Sequence, residues 1–158
     1  MKLAEAVIRR KAVSTKLTEV QADINRMMVQ QEGVEPDQDV GDLVAQYGAI
    51  YNEFHNLIVA INAANNIPLT EADGLSISEL IVRRDITRGK AKAWKGFLEQ
   101  ASNRQQFMHR LTSAEQTIRY VPAVPIAVLR AESDRYSREA QETDLLIQRL
   151  DWLVEVDL

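Results

Sequence analysis

Apolar residues return along this chain in alternating steps of four and three, the spacing that lines one face of an α-helix. Leu43, Tyr47, Ile50, Phe54, Leu57, Ile61 and Ala64 keep that rhythm without a polar interruption. They predict a helix from about residue 39 to 65, with Asp39 placed to cap the free amides of its first turn. Val44, Tyr51 and Ile58 widen the stripe, so this helix is expected to bury itself against more than one partner.

The same period recurs in three further segments. Leu3, Ala6, Arg10, Val13, Leu17, Val20, Ile24 and Met27 form a heptad seam over about residues 2–31, with Arg10 as its discordant member. Gly33 and Pro36 close that helix, because glycine ends helices and proline resists their continuation. A third helix is predicted over about 77–101, opened by the capping-box pattern Ser76-Ile77-Ser78-Glu79, in which serine and glutamate each satisfy a free amide. Leu80, Ala91, Trp94, Leu98 and Ala101 lie on one side of it, whereas Val82, Ile86, Ala93 and Phe97 lie on another. A helix apolar on two faces sits centrally or in a subunit interface. The last helix, about 126–155, carries Ile126, Leu129, Ser133, Tyr136, Ala140, Thr143, Ile147, Leu150 and Val154 on one seam. Pro125 is suited to its first turn, where the missing amide costs nothing.

Between Asn103 and Val124 the helical period lapses. Gln106–Leu111 and Thr117–Val121 alternate loosely, which predicts a small β-hairpin or extended arm over about 105–121. The expected fold class is therefore mainly α: an antiparallel bundle of four long helices with coiled-coil-like seams, preceded at its last helix by a hairpin or arm. A chain of 158 residues suits a single domain spanning 1–158.

Charge is distributed in blocks. Residues 1–31, 32–82, 83–119 and 120–158 carry formal charges of +3, −9, +6 and −4. Oppositely charged neighbours would favour helix pairing, and the basic block lacks the aromatic and glycine interleaving of common RNA-binding modules. Nucleic acid is accordingly not an expected partner. No apolar run approaches the roughly 20 residues of a membrane helix, and the first residues enter an amphipathic helix directly; a cytoplasmic, membrane-free location is the expectation. The chain has no cysteine, which removes thiolate chemistry and disulfides.

Catalytic constellations are sparse. The two histidines, His55 and His109, lack the Glu-x-x-His spacing of di-iron bundles, and His55 does not share a helix face with Glu53. Glu139 and Glu142 form one acidic i,i+3 pair with no evident second cluster to complete a Mg²⁺ site. No catalytic residue, cofactor or metal ligand is assigned. The residues with the best claim to a site are Arg84, Asp85 and Arg88 on the third helix, together with Arg10. Arg84 lies on the apolar line of Leu80, Ala91 and Leu98, so its guanidinium must either snorkel outward or meet a carboxylate. These arginines form a candidate anion site or, in the favoured reading, a structural ion pair that fixes helix register.

A family resemblance spans nearly the whole chain. Met1-Lys2-Leu3-Ala4-Glu5-Ala6, Gln31-Glu32-Gly33-Val34-Glu35-Pro36, Ile61-Asn62-Ala63-Ala64-Asn65, Asp73-Gly74, Glu79-Leu80-Ile81-Val82-Arg83-Arg84-Asp85, Ile118-Arg119-Tyr120-Val121 and Leu150-Asp151-Trp152 occur in order. Together they resemble the septicolysin-like family of small helical bacterial proteins, a domain of unknown function. Pro125 departs from that family's pattern, which has an acidic helix cap there. The resemblance implies a mostly helical bacterial protein without established catalytic residues. Its label implies a cytolysin-like membrane-active protein, which a cysteine-free chain without a basic amphipathic membrane helix supports poorly. The expected function is that of a non-enzymatic homo-oligomeric assembly or interaction protein; the alternative is a small-ligand or metal-dependent helical enzyme using carboxylates and the Arg84 region.

Overall fold

The computed structural model describes residues 1–29, 39–111 and 120–158. The chain is mainly α, with four long helices: α1 (Leu3–Met27), α2 (Val40–Asn65), α3 (Ile77–Leu111) and α4 (Ile126–Asp151). They fall into two compact units, one comprising Met1–Ser76 with Gln148–Leu158, the other Ile77–Ile147.

In the first unit α1 and α2 form an antiparallel pair. Their seams meet as the periodicity predicts, with Val13, Leu17, Val20 and Ile24 of α1 clustered with Leu43, Ile50 and Leu57 of α2. Met27, Tyr47 and Phe54 pack on that cluster while remaining partly exposed. Asp39 caps α2, its Oδ1 accepting from the Gly41 amide at 2.7 Å. Across the pair, Arg9 donates twice to Glu53 Oε1, at 2.6 and 2.8 Å. After α2, a single 3-10 turn over Thr70–Ala72 reverses the chain through Asp73 (φ 55°) and Gly74 (φ 84°). Gly74 occupies a left-handed conformation that L side chains resist, and its amide closes the turn onto the Leu69 carbonyl at 2.9 Å.

The chain ends clasp one another in this unit. Lys2 and Glu155 form an antiparallel bridge, with Leu3 N–H donating to Val154 O at 2.9 Å and Val156 N–H to Met1 O at 2.8 Å. Lys2 Nζ adds an ion pair to Glu155 at 3.0 Å, and Leu3, Leu150 and Val156 are buried. The predicted last helix therefore stops four residues early, at Asp151. Residues 154–156 gain more from pairing their backbone with the N-terminus than from a further helical turn.

In the second unit α3 and α4 run antiparallel. Ile77 and Leu80 of α3 and Leu129, Ala140 and Ile147 of α4 are buried in this unit, together with the polar Thr87, Ser133 and Thr143. The two threonine hydroxyls return their hydrogen bonds to their own helices, Thr87 to Arg83 O at 2.8 Å and Thr143 to Glu139 O at 2.9 Å, as buried hydroxyls must when no other partner is at hand. The Pro125 carbonyl receives the Leu129 amide at 3.2 Å, placing the proline just ahead of α4.

Two expectations need correction. The hairpin or arm over 105–121 is not formed in its first half, because α3 continues to Leu111. Arg104, Gln105, Gln106, Met108 and Leu111 are good helix formers with no glycine or proline among them, so helix propensity outweighs a loose alternation. The second half of the predicted hairpin, 112–119, lies outside the described residues, as does the predicted Gly33–Pro36 connection. At its other end, α1 stops at Met27, short of the predicted 31.

Candidate functional site

The arginines singled out by the sequence divide between the two units. Arg10 sits half-buried on α1 in the first. Arg84, Asp85 and Arg88 come together on α3, but the centre of their arrangement is a residue the sequence does not mark. Arg84 Nη1 donates to Asp144 Oδ1 of α4 at 3.1 Å, and Arg88 Nη2 reaches the same oxygen at 3.2 Å. Being four residues apart, Arg84 and Arg88 share a helix face and close on one carboxylate like a clamp. Arg84 Nε also donates to its neighbour Asp85 at 2.9 Å. Five residues earlier on α4, Glu139 meets Arg83 at 3.5 Å.

The electrostatics follow from these distances. The Asp85 hydrogen bond, helped by Asp144 and opposed by partial desolvation, raises the Arg84 pKa above its already high ordinary value. The Arg84 side chain is 20% exposed and that of Asp144 28%, so solvent screening of the pair is reduced. Lys90 and Arg135 add cations near the Tyr136 ring, at 5.4 and 4.5 Å from its centroid. Each of Arg83, Arg84 and Arg88 already faces a carboxylate. Charge is matched inside the cluster, which leaves little cationic field for an anionic ligand.

The same unit contains a cavity of about 860 Å³ beside the C-terminal half of α3, bordered by Trp94, Phe97, Met108, Val121 and Leu129, with Arg104 among its few polar groups. Trp94 and Phe97 meet edge to face there, with ring centroids 5.9 Å apart. A second groove, about 560 Å³, exposes Val82 and Ile86 between the charged side chains of Arg83, Lys90 and Glu139. Such linings can hold apolar groups. Among the described residues no three His, Asp or Glu side chains stand close enough to hold a metal ion. His55 and His109 are both exposed.

The two-faced character of α3 is visible in the structure. Leu80 and Thr87 are buried, and Ala91, Trp94, Leu98 and Ala101 are partly covered on the same side. Val82, Ile86 and Phe97 remain more than half exposed. From Arg88 to His109 not one residue of α3 is buried. A Cβ built on Gly89 or Gly96 would meet nothing within 4 Å, so neither glycine answers to a close approach within this chain.

These features define a mainly-α protein of long paired helices with a charge-matched arginine cluster and apolar helix surface left open. No protein of curated function matches the sequence. Over residues 10–156 the chain matches, and belongs to, DUF6847, a family of unknown function. A similar fold is seen in the crystal structure of a functionally unknown conserved protein from Corynebacterium diphtheriae, at 23% identity and a TM-score of 0.75 over 99% of both chains. The resemblance to the septicolysin-like family is thereby overturned: the matching family is a different one, and nothing in the related structure points to septicolysin. Short peptide matches such as Asp73-Gly74 carried that resemblance, and they reflect turn and helix chemistry that many helical proteins share. No helix among the described residues is long and apolar enough to cross a membrane.

Proposed function

We propose that this protein is a non-enzymatic assembly protein that associates with copies of itself. The observation that carries this reading is the open flank of α3. Twenty-two consecutive positions, Arg88 to His109, contain no buried residue although they include Trp94, Phe97, Leu98 and Met108. An isolated helix is marginal in water and draws its stability from packing an apolar face; a second chain would supply that packing. Covering Val82, Ile86 and Phe97, each more than half exposed, would contribute on the order of 1 kcal/mol apiece.

The arginine cluster has a structural part in this reading. Arg84 and Arg88 hold Asp144 and thereby set the register of α3 against α4. Exchange of Ile86 and Phe97 for glutamate is the test. The reading expects the mass in solution to fall while far-UV helicity persists; an unchanged mass would count against α3 as an assembly surface.

A further inference from the structure

Along the C-terminal half of α3, Trp94, Phe97, Ala101 and Met108 succeed one another at steps of three, four and seven residues, which lays them on one helix face. Arg104 stands on the same face, three residues after Ala101 and four before Met108. The stretch 120–124, neither helix nor strand, and Leu129 of α4 form the other wall of the cavity of about 860 Å³. Pro122 has no amide to donate, which keeps that wall poor in polar groups. The whole cavity belongs to the second unit.

We propose that this cavity is a binding site for an amphipathic monocarboxylate. Its hydrocarbon part lies among Trp94, Phe97, Met108 and Val121, and its carboxylate meets the Arg104 guanidinium.

Size and lining select a small apolar body. The volume falls in the range of small-molecule sites, roughly 300–1,000 Å³. Water is a poor occupant of such a space, because each buried water needs about two to four polar partners. The charged or amide side chains that border the cavity are Gln100, Arg104 and Gln105 alone.

Charge selects the other end of the ligand. No aspartate or glutamate borders the cavity. Among the described residues no carboxylate holds Arg104, whereas Arg83, Arg84 and Arg88 of the same helix each face one. A guanidinium presents a planar fork of donors that matches a carboxylate. One positive charge balances one negative charge; a phosphate monoester would bring about two, and a cationic ligand would meet repulsion. Val82 and Ile86 border a different groove, so the site goes beyond the assembly reading and needs only one chain.

Trp94 reports on the cavity directly, because the other tryptophan, Trp152, lies in the first unit. In a Trp152→Phe background, decanoate is titrated below its micelle-forming concentration, beside its neutral methyl ester and decylamine. The proposal expects a saturable change in Trp94 emission with one decanoate per chain. The ester is expected to bind about fivefold more weakly, the weight of an ion pair at an exposed position, and decylamine more weakly still. Arg104→Gln should bring decanoate down to the affinity of the ester and leave the ester unchanged. Ala101→Trp, which fills the cavity, should weaken both; if that variant loses far-UV helicity, Arg104→Gln decides by itself. No saturable change with decanoate, equal binding of acid and ester, or an Arg104→Gln variant that keeps the parent affinity would each overturn the site. Failure here leaves the assembly reading standing, and a strictly monomeric chain that binds decanoate through Arg104 would overturn that reading and support this one.

Discussion

Arg84 on α3 and Asp144 on α4 lie 60 residues apart in sequence and 3.1 Å apart in space. Arg88 shares the same carboxylate oxygen at 3.2 Å. The pair is partly shielded from water, so its contribution lies above that of an exposed ion pair, at about 1 kcal/mol. Arg84→Met is expected to destabilise the chain by about that amount, and a double-mutant cycle with Asp144→Leu to show coupling of about 0.5–1.5 kcal/mol. Chemical denaturation provides the measurement. A fully stable Arg84→Met variant with unchanged assembly would sink the structural role of the cluster.

In the first unit the largest single effect belongs to the α1–α2 core. Leu57 is 1% exposed among buried leucines, isoleucines and valines. Leu57→Ala removes three carbons from a packed site and leaves a cavity, which costs about 3 kcal/mol and lowers Tm by about 10 °C in a chain of this size. Calorimetry showing a shift of only a degree or two would mean that this interface is looser than its burial indicates.

Acid and base act oppositely on two carboxylates near the terminal clasp. Burial raises the pKa of Asp151 above the ordinary aspartate value, and its place as the last residue of α4 puts a negative charge at the unfavourable end of the helix dipole. Because its folded-state pKa exceeds its unfolded one, the ionised group is a liability that appears as pH rises through the interval between the two values. Asp151→Asn is expected to raise Tm at pH 7 and to have no effect at pH 3. Glu155 behaves in reverse: its hydrogen bond and ion pair with Lys2 lower its pKa. That stabilisation is present above the ordinary carboxylate range and is lost as pH falls, so Glu155→Gln lowers Tm at pH 7 but not at low pH. Thermal melts of both variants across pH check the signs, and a shift of the same sign for the two would contradict this assignment.

The left-handed turn before α3 gives a backbone prediction. Gly74 has φ 84° and open space around its Cα, so Gly74→Ala meets conformational strain rather than a clash. A loss of about 1 kcal/mol is expected. Urea titration with no detectable change would show that the turn relaxes to another conformation without cost.

The helices were legible because each seam obeys a single period. Val13, Leu17 and Val20 on α1, and Leu43, Ile50 and Leu57 on α2, are buried at the positions their spacing requires. The clasp of Lys2 with Glu155 was not legible, because two short segments at opposite ends of a chain carry no periodic signal that they will pair. The extension of α3 to Leu111 was hidden by an alternation too short to distinguish strand from helix. Within the arginine cluster, the position of Arg84 on an apolar line announced a partner, but a lone carboxylate such as Asp144 on a helix already rich in charge looks like any solvated residue. Its role depends on the register of two helices, which sequence periodicity does not specify.

The central claim is that single chains leave helix surface for other copies to cover, and sedimentation of the unsubstituted protein over a range of concentrations tests it most directly. The account predicts a species of two or more 17.9 kDa chains, populated increasingly as concentration rises. A single 17.9 kDa species at every concentration would contradict it.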